Sequence, residues 1–144
     1  MSVNVFNTTQ FLNSVDSPQK LDFALAEVAF VGRSNVGKSS LLNALCGRHQ
    51  LAKVSKTPGK TRAINVFLVQ LGKWLVDLPG YGFAAISKEE QTRWQRMIAY
   101  YFSERRSSLK AAFVLVDANI GATELDRKML WWLKSIKLPF YVVA

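Results

Sequence analysis

The sequence predicts an α/β fold in which a mostly parallel sheet carries helices on both faces. Short apolar runs alternate with longer amphipathic segments, which is the pattern of strand–helix–strand units. Of the 144 residues, 49% are hydrophobic, which is enough to build a sizeable core. Two of the apolar runs are separated only by Leu71 and Gly72. We therefore expect one antiparallel strand, contributed by a hairpin.

Local patterns place the individual elements. The predicted strands, in chain order, are a short one at residues 3–6 and longer ones at 27–31, 63–70, 73–77, 111–116 and 140–143. The predicted helices cover residues 38–46, 88–106 and 124–136, and the last two carry one apolar stripe each. Ser87 and Thr123 directly precede these two helices, where hydroxyl side chains commonly cap the N-terminus. The chain contains no repeats or linkers, so we expect a single domain over residues 1–144.

Residues 32–39 match the phosphate-binding loop pattern G-x-x-x-x-G-K-[ST] between a predicted strand and a predicted helix. Backbone N–H groups of such a turn and the helix dipole favour an anion, and Lys38 can reach the β and γ phosphates. Ser39 supplies the hydroxyl that such loops use on Mg²⁺. The alternative, a glycine-rich turn without a ligand, is disfavoured by the strand and helix on either side, so we predict nucleoside triphosphate binding. The predicted contacts in this loop are Gly32, Arg33, Ser34, Asn35, Val36, Gly37, Lys38, Ser39 and Ser40.

Two further motifs follow the loop. Asp77-Leu-Pro-Gly80 has the D-x-x-G pattern at the end of a predicted strand. Such an aspartate typically holds Mg²⁺ through water, and the glycine N–H faces the γ phosphate. Residues 57–61 read Thr-Pro-Gly-Lys-Thr, where GTPases place a mobile threonine; a basic loop with a turn is the alternative. The predicted contacts from these motifs are Gly59, Lys60, Thr61, Arg62, Ala63, Asp77, Leu78, Pro79 and Gly80, and the candidate catalytic residues are Lys38, Thr61 and Gly80.

These three motifs, and above all the run Asp77-Leu-Pro-Gly-Tyr-Gly-Phe-Ala84, resemble the EngB/YihA family of bacterial ribosome-assembly GTPases over nearly the whole chain. The resemblance implies a phosphate-loop G domain that binds GTP and GDP with Mg²⁺ and hydrolyses GTP. It implies that Ser39 and Thr61 are direct Mg²⁺ ligands; Asp77 is the third residue of the predicted metal site and acts through water. It also implies a role in maturing the large ribosomal subunit, with ribosomal RNA or a subunit precursor as partner, and a link to cell division and septation. We expect a cytoplasmic monomer without a DNA or membrane partner.

Four features of the sequence qualify what the resemblance implies. Tyr81 stands where many GTPases have a glutamine that orients the attacking water, so we expect slow intrinsic hydrolysis. Asn35 stands where related GTPases use an asparagine to bind K⁺; a hydrogen bond within the turn is the alternative. Residues 117–120 differ from the Asp-x-Arg-His-like segment of the family, so any role of that Arg-His pair does not transfer. The chain stops at Ala144, before the [NT]-K-x-D motif that reads guanine, and we expect a C-terminal part of the domain to be missing.

The net charge indicates the class of binding partner, and the cysteine content indicates the cellular compartment. Nineteen basic and ten acidic residues give a net charge of +9, with clusters at residues 53–62 and 93–110. This excess favours a polyanion, most simply RNA; the alternative is a solvated basic face plus charges that serve the nucleotide. Cys46 is the single cysteine, which excludes an internal disulfide and fits the reducing cytoplasm. No apolar run approaches the length of a membrane span, and the N-terminus does not resemble a signal peptide.

The sequence leaves three classes of function open. The first is a GTPase switch that docks on ribosomal precursors. The second is a nucleotide-dependent RNA- or ribosome-binding module with negligible hydrolysis. The third, a small-molecule kinase or ATPase, shares the phosphate loop but does not account for the motifs at residues 57–61 and 77–81.

Overall fold

The computed structural model describes residues 5–48, 51, 63–82 and 87–144. The strands in these ranges are β1 (Gln10–Val15), β2 (Ala26–Gly32), β3 (Ile64–Gln70), β4 (Lys73–Asp77), β5 (Leu109–Leu115) and β6 (Phe140–Val143). The helices are α1 (Lys38–Leu45), α2 (Lys88–Glu104) and α3 (Glu124–Ser135), with a short 3-10 turn at Pro18–Lys20. Among the residues described, no helix is both long enough and apolar enough to span a bilayer.

All six strands join one sheet in the order β1-β3-β4-β2-β5-β6. β3 runs antiparallel to both of its neighbours, β1 and β4. β2 pairs in parallel with β4 and β5, and β5 pairs in parallel with β6. The β3–β4 hairpin turns at Leu71 and Gly72, and Gly72 has a φ of +73°, a left-handed value that glycine adopts readily. The predicted fold, a mostly parallel sheet with one antiparallel hairpin strand, is confirmed.

The helices cover both faces of this sheet, as predicted. Side chains alternate along β2: Ala29 and Val31 face the buried cluster that includes α2 and α3, whereas Phe30 faces the cluster that includes α1. The helical side chains buried in these clusters are Leu42 of α1, Ile98, Tyr101 and Phe102 of α2, and Met129 and Leu133 of α3. Because both faces are covered, the carboxyl edge of the parallel strands is where a ligand can reach the backbone.

Both predicted N-caps are present. The backbone N–H of Glu90 donates a hydrogen bond of 3.2 Å to the Ser87 hydroxyl at the start of α2. At the start of α3, Thr123 and Asp126 form a reciprocal capping box. These bonds satisfy backbone donors that a helix end otherwise leaves unpaired, so the two helices begin where the sequence predicts.

The first strand differs from the prediction. Val5 and Phe6 lie in a turn, so the strand predicted at residues 3–6 is wrong where the structure describes it; residues 1–4 lie outside the described ranges. β1 pairs instead with β3 at the edge of the sheet. Only Val15 of its six residues is buried. The apolar–polar alternation that reveals a half-buried strand is therefore missing from β1.

Candidate nucleotide-binding site

The predicted phosphate-binding loop joins the carboxyl end of β2 to the start of α1. β2 ends at Gly32 and α1 begins at Lys38. The chain turns through left-handed conformations at Asn35 (φ +63°) and Gly37 (φ +106°). Among the described residues, no side chain caps α1, whose N-cap is Gly37. The first N–H groups of α1 are therefore available to an anion, as a phosphate-binding loop requires.

Gly32 is also needed for packing. A Cβ atom at Gly32 would lie 3.0 Å from the carbonyl oxygen of Leu115 and 3.0 Å from Cγ1 of Val36. Both distances are tighter than ordinary contacts, and the first neighbour is backbone of β5. The first glycine of the motif thus lets the loop leave β2 while it stays in contact with β5.

Lys38 and Asp77 meet at this edge of the sheet. Lys38 Nζ forms an ion pair and a hydrogen bond with Asp77 Oδ1. The lysine side chain is 12% exposed and the aspartate side chain is 7% exposed. The sequence prediction that both residues belong to one site is consistent with this pairing, although their roles toward a nucleotide stay a prediction.

The chain beyond β4 is joined to the phosphate loop along its backbone. We call residues 77–81 the D-x-x-G segment. The Leu78 N–H donates to the Phe30 carbonyl at 3.1 Å, the Tyr81 N–H donates to the Gly32 carbonyl at 3.2 Å, and the Ser34 N–H donates to the Tyr81 carbonyl at 2.8 Å. The parallel pairing of β2 with β4 therefore continues past both strand ends into the candidate site.

Gly80 lies directly against the phosphate loop. A Cβ atom at Gly80 would come within 2.9 Å of both Cα and N of Ser34, and within 3.0 Å of its Oγ. Since two of these neighbours are backbone atoms, they cannot move aside without distorting the loop. The Ser34 hydroxyl is buried and has no hydrogen-bond partner among the described residues.

The donor atoms at this site fit Mg²⁺. Asp77 contributes a carboxylate at the end of β4, and Ser39 contributes a hydroxyl in the first turn of α1, next to Lys38. Carboxylate and hydroxyl oxygens are the hard ligands that Mg²⁺ prefers. Within the described part of the chain, no group of three or more His, Cys, Asp or Glu side chains is placed to hold a metal. The third predicted ligand, Thr61, lies outside the described residues.

The remaining predicted contacts fall into three groups. Gly59, Lys60 and Arg62 lie outside the described residues, whereas Ala63 is half-buried just before β3. Leu78 and Pro79 are buried, so their side chains face the protein interior. The loop residues Arg33 and Val36 are half-buried, and Asn35 and Ser40 are exposed.

The sequence patterns did not predict the surroundings of Tyr81. Its hydroxyl donates a hydrogen bond of 2.5 Å to Asp126 Oδ1 of α3. Its ring packs edge-on against Trp94 of α2, with the centroids 5.6 Å apart. The Trp94 Nε1–H donates to the Pro79 carbonyl at 2.9 Å. The one feature of the sequence that pointed to Asp126 was Thr123, the predicted N-cap of α3, which forms its capping box with this aspartate.

Burial, followed by the hydrogen bond to Asp126, raises the pKa of the Tyr81 hydroxyl well above its usual range. The phenol therefore stays protonated at neutral pH and acts as a donor to the carboxylate. Tyr81 is only 6% exposed. Its side chain thus belongs to the contact between the D-x-x-G segment and the helices.

The second predicted basic cluster is divided by the fold. Arg105 forms hydrogen bonds to both carboxylate oxygens of Glu27, at 2.9 and 2.7 Å, and a third to the Asp22 carbonyl at 2.9 Å. Arg106 donates to the Ile136 carbonyl at 2.8 Å. The Arg105 side chain is therefore paired with a buried carboxylate, whereas Arg93, Arg96 and Lys110 are exposed.

Comparison with known proteins agrees with this geometry. Residues 27–144 match the model of a family described as 50S ribosome-binding GTPase. Over 117 residues the chain is 53% identical to the probable GTP-binding protein EngB of Aquifex aeolicus and 56% identical to that of Thermotoga maritima, in each case over 81% of this chain. The chain belongs to the EngB family of GTP-binding proteins. The corresponding alignments span 63% and 59% of the two EngB relatives, so the chain covers less than two thirds of their length.

Solved structures give the same fold. A crystal structure described as a probable GTP-binding protein EngB matches with a TM-score of 0.66 and 29% identity, over 81% of this chain and 68% of that chain. A variant of Aquifex aeolicus Era bound to GDP·AlF4⁻ matches with a TM-score of 0.57 and 26% identity, over 83% and 40% of the chains. Era in complex with MgGDPNP and nucleotides 1506–1542 of 16S ribosomal RNA matches with a TM-score of 0.57 and 25% identity, over 84% and 40%.

Proposed function

We propose that this chain binds GTP and GDP with Mg²⁺, hydrolyses GTP slowly, and acts as a switch in assembly of the large ribosomal subunit. The observation that carries the proposal is the meeting of the phosphate loop with the D-x-x-G segment. Lys38 pairs with Asp77, and Gly80 packs on Ser34, at the carboxyl edge of the parallel sheet. Membership of the EngB family supports GTP as the nucleotide.

In this proposal, the loop amides and Lys38 hold the phosphates, and Ser39, Thr61 and Asp77 hold Mg²⁺. Bound Mg²⁺ would supply neutralisation of charge on the phosphate oxygens. Gly80 presents its N–H to the γ phosphate, and Thr61 responds to the same group. Loss of the γ phosphate on hydrolysis releases both contacts, which is how the switch changes state.

We propose slow GTP hydrolysis because of the surroundings of the Tyr81 side chain. The hydroxyl is buried and donates to Asp126, so it is not available to orient an attacking water. Most of the rate would come from Lys38 and the loop amides, which stabilise charge that develops on the phosphate oxygens. We propose Asn35, exposed in the loop, as a K⁺ ligand that assists this step.

A ribosomal RNA or large-subunit partner is supported by the net charge of +9 and by the description of the matching family. Era, a structural neighbour, has been solved in complex with 16S ribosomal RNA. A cytoplasmic location and a link to cell division and septation rest on the family resemblance. We also propose that residues 1–144 belong to one GTP-binding domain.

Nucleotide titration is the first test. Labelled GTP, GDP and ATP are titrated with Mg²⁺ against this chain and against the full-length Aquifex aeolicus EngB. The proposal expects guanine nucleotides to bind with higher affinity than ATP in the full-length relative, and both guanine nucleotides to bind this chain. Preference for ATP, or absence of binding in both proteins, contradicts it.

A binding module with negligible hydrolysis is the second candidate, and the burial of Tyr81 favours it. Single-turnover hydrolysis, measured with and without ribosomal subunits, separates the two. Hydrolysis stimulated by subunits supports the switch, whereas binding without turnover under both conditions supports the module. Thr61→Ala then tests the switch itself, because it should weaken Mg²⁺ binding and lower the preference for GTP over GDP.

A further inference from the structure

The D-x-x-G segment is held from two opposite sides. On one side, the Tyr81 backbone exchanges two hydrogen bonds with the phosphate loop, 3.2 Å to Gly32 and 2.8 Å from Ser34. On the other side, side chains of α2 and α3 hold the same segment. A parallel bridge between Arg33 and Tyr81 marks where the loop and the segment meet.

Two hydrogen bonds join the D-x-x-G segment to α2 and α3. The Tyr81 hydroxyl donates to Asp126, and Trp94 donates its indole N–H to the Pro79 carbonyl. Asp126 is itself fixed, because its second carboxylate oxygen accepts from the Thr123 N–H at 2.8 Å and from the Thr123 hydroxyl at 3.0 Å. Asp126 is completely buried, so its hydrogen bonds to protein groups replace those to water.

Packing and hydrogen bonding both hold the Tyr81 ring. The ring packs edge-on with Trp94, and it borders a pocket of about 320 Å³ between α2 and α3, whose walls include Ile98, Met129 and Trp132. The ring is 6% exposed and belongs to the core cluster. Among the described residues, Asp126 is the hydrogen-bond partner of the hydroxyl, so this directional bond fixes where the polar end of the ring lies.

We propose that Tyr81 and Asp126 are positioning residues for the nucleotide site, and that their hydrogen bond sets where Gly80 lies against the phosphate loop. Gly80 directly precedes Tyr81, and it lies so close to the phosphate loop that a Cβ atom at this position would come within 2.9 Å of the Ser34 backbone. A change at the Tyr81 hydroxyl is consequently transmitted through one backbone residue to the loop. The γ-phosphate contact of Gly80 belongs to the proposed function, on which this positioning role rests.

Tyr81→Phe tests the role with a matched control. Tyr101 is a second buried tyrosine whose hydroxyl donates to a carboxylate, Glu27 at 2.8 Å, but it has no bond to the D-x-x-G segment. Amide hydrogen exchange is measured by NMR at Ser34 and at position 81 in the nucleotide-free chain. Loss of one such bond is expected to speed exchange there about fivefold in Tyr81→Phe, but not in Tyr101→Phe. Equal rates at these amides in the two variants overturn the proposal.

The ratio of GTP affinity to GDP affinity gives an independent readout. It should fall about fivefold in Tyr81→Phe, with GDP affinity nearly unchanged, because only GTP carries the group that Gly80 meets. Tyr101→Phe should leave the ratio as in wild type. If wild type binds neither nucleotide, the proposed function fails, and the exchange rates still decide whether Tyr81 positions the loop.

A double-mutant cycle tests whether Tyr81 and Asp126 act on the nucleotide ratio through one hydrogen bond. Asp126→Ala removes the carboxylate that accepts from the Tyr81 hydroxyl, together with the acceptor of the Thr123 bonds, and it is combined with Tyr81→Phe. If the two residues act through one bond, Tyr81→Phe lowers the nucleotide ratio no further once Asp126 has been replaced. Fully additive losses overturn the pairing. Should Tyr81→Phe fail to fold, Asp126→Ala removes the same hydrogen bond from its other end and must speed exchange at the same amides for the proposal to stand.

Discussion

Lys38 and Asp77, 39 positions apart in the sequence, form an ion pair at the carboxyl edge of the sheet. Lys38 opens α1 and Asp77 closes β4. The parallel pairing of β2 with β4 brings these two positions together. Lys38 follows the end of β2 and Asp77 is the last residue of β4, and both strands end at the same edge of the sheet. The proposed phosphate-binding lysine and the candidate Mg²⁺ carboxylate are thereby brought together by the sheet itself.

Lys38→Ala should reduce affinity for GTP and GDP by about 10- to 100-fold or more, because a charge-assisted hydrogen bond to phosphate is lost. The free energy of unfolding should also fall, by roughly 1–3 kcal/mol, since the Asp77 carboxylate loses its partner. Fluorescent nucleotide titration and urea unfolding measure the two effects. Lys20→Ala, at an exposed lysine, is the control. Wild-type affinity in Lys38→Ala would exclude Lys38 as a phosphate ligand.

Gly80→Ala should weaken nucleotide binding and lower the free energy of unfolding by roughly 1–3 kcal/mol, because the new methyl group meets the Ser34 backbone. Gly121→Ala is the comparator. Gly121 has a φ of +82° but open space around its Cβ position, so it tests backbone strain without the clash. Thermal unfolding and nucleotide titration are measured on both. Equal nucleotide affinities in the two variants would show that contact with the loop is unimportant for binding.

Arg105→Met should destabilise the fold by roughly 3–5 kcal/mol, since removal of one partner leaves a buried charge uncompensated. Glu27 is 1% exposed, and its carboxylate would retain only the Tyr101 hydroxyl among the side-chain donors described here. Lys20→Met breaks the exposed pair of Lys20 with Asp16 and should cost less than about 1 kcal/mol. Denaturant unfolding at neutral pH compares them. Similar losses of unfolding free energy in the two variants would show that burial of the ion pair does not increase its contribution to stability.

Stability should fall at alkaline pH because of Tyr81 and Tyr101. Burial first, and the neighbouring carboxylates next, raise the pKa of both hydroxyls above the usual value. Below the ordinary tyrosine pKa of about 10, neither the folded nor the unfolded chain ionises them, and their contribution is fully present. Above it, only the unfolded chain loses these protons. The free energy of unfolding should then fall by about 1.4 kcal/mol per pH unit for each tyrosine, until the pH passes the folded-state pKa.

Urea unfolding between about pH 9 and about pH 11 measures this slope. Tyr81→Phe and Tyr101→Phe should each reduce the slope by the contribution of one tyrosine. Both variants are needed, because the wild-type slope includes a contribution from each of the two tyrosines. A slope unchanged in either variant would mean that its tyrosine ionises equally in the folded and unfolded chains.

Local chemistry made much of the fold predictable. The phosphate-loop pattern located Gly32 and Lys38, and the caps at Ser87 and Thr123 located the starts of two helices, as observed. Each of these features depends on residues within a few positions of one another, so a single stretch of sequence contains the whole signal. β1 was missed for the opposite reason, because its pairing with β3 depends on a neighbour more than forty positions away.

The phosphate loop, the D-x-x-G segment and the alternation of strands and helices that brings them to one edge can be read from the amino-acid sequence alone. The hydrogen bond from Tyr81 to Asp126, and the pairing of Arg105 with Glu27 rather than its place on a basic surface, emerge from the folded structure. A tyrosine, an arginine or an aspartate is compatible with solvent, a ligand or an interior partner. Which of these each side chain meets depends on strands and helices that are distant in the chain, because burial and hydrogen-bond partners are properties of the packed fold.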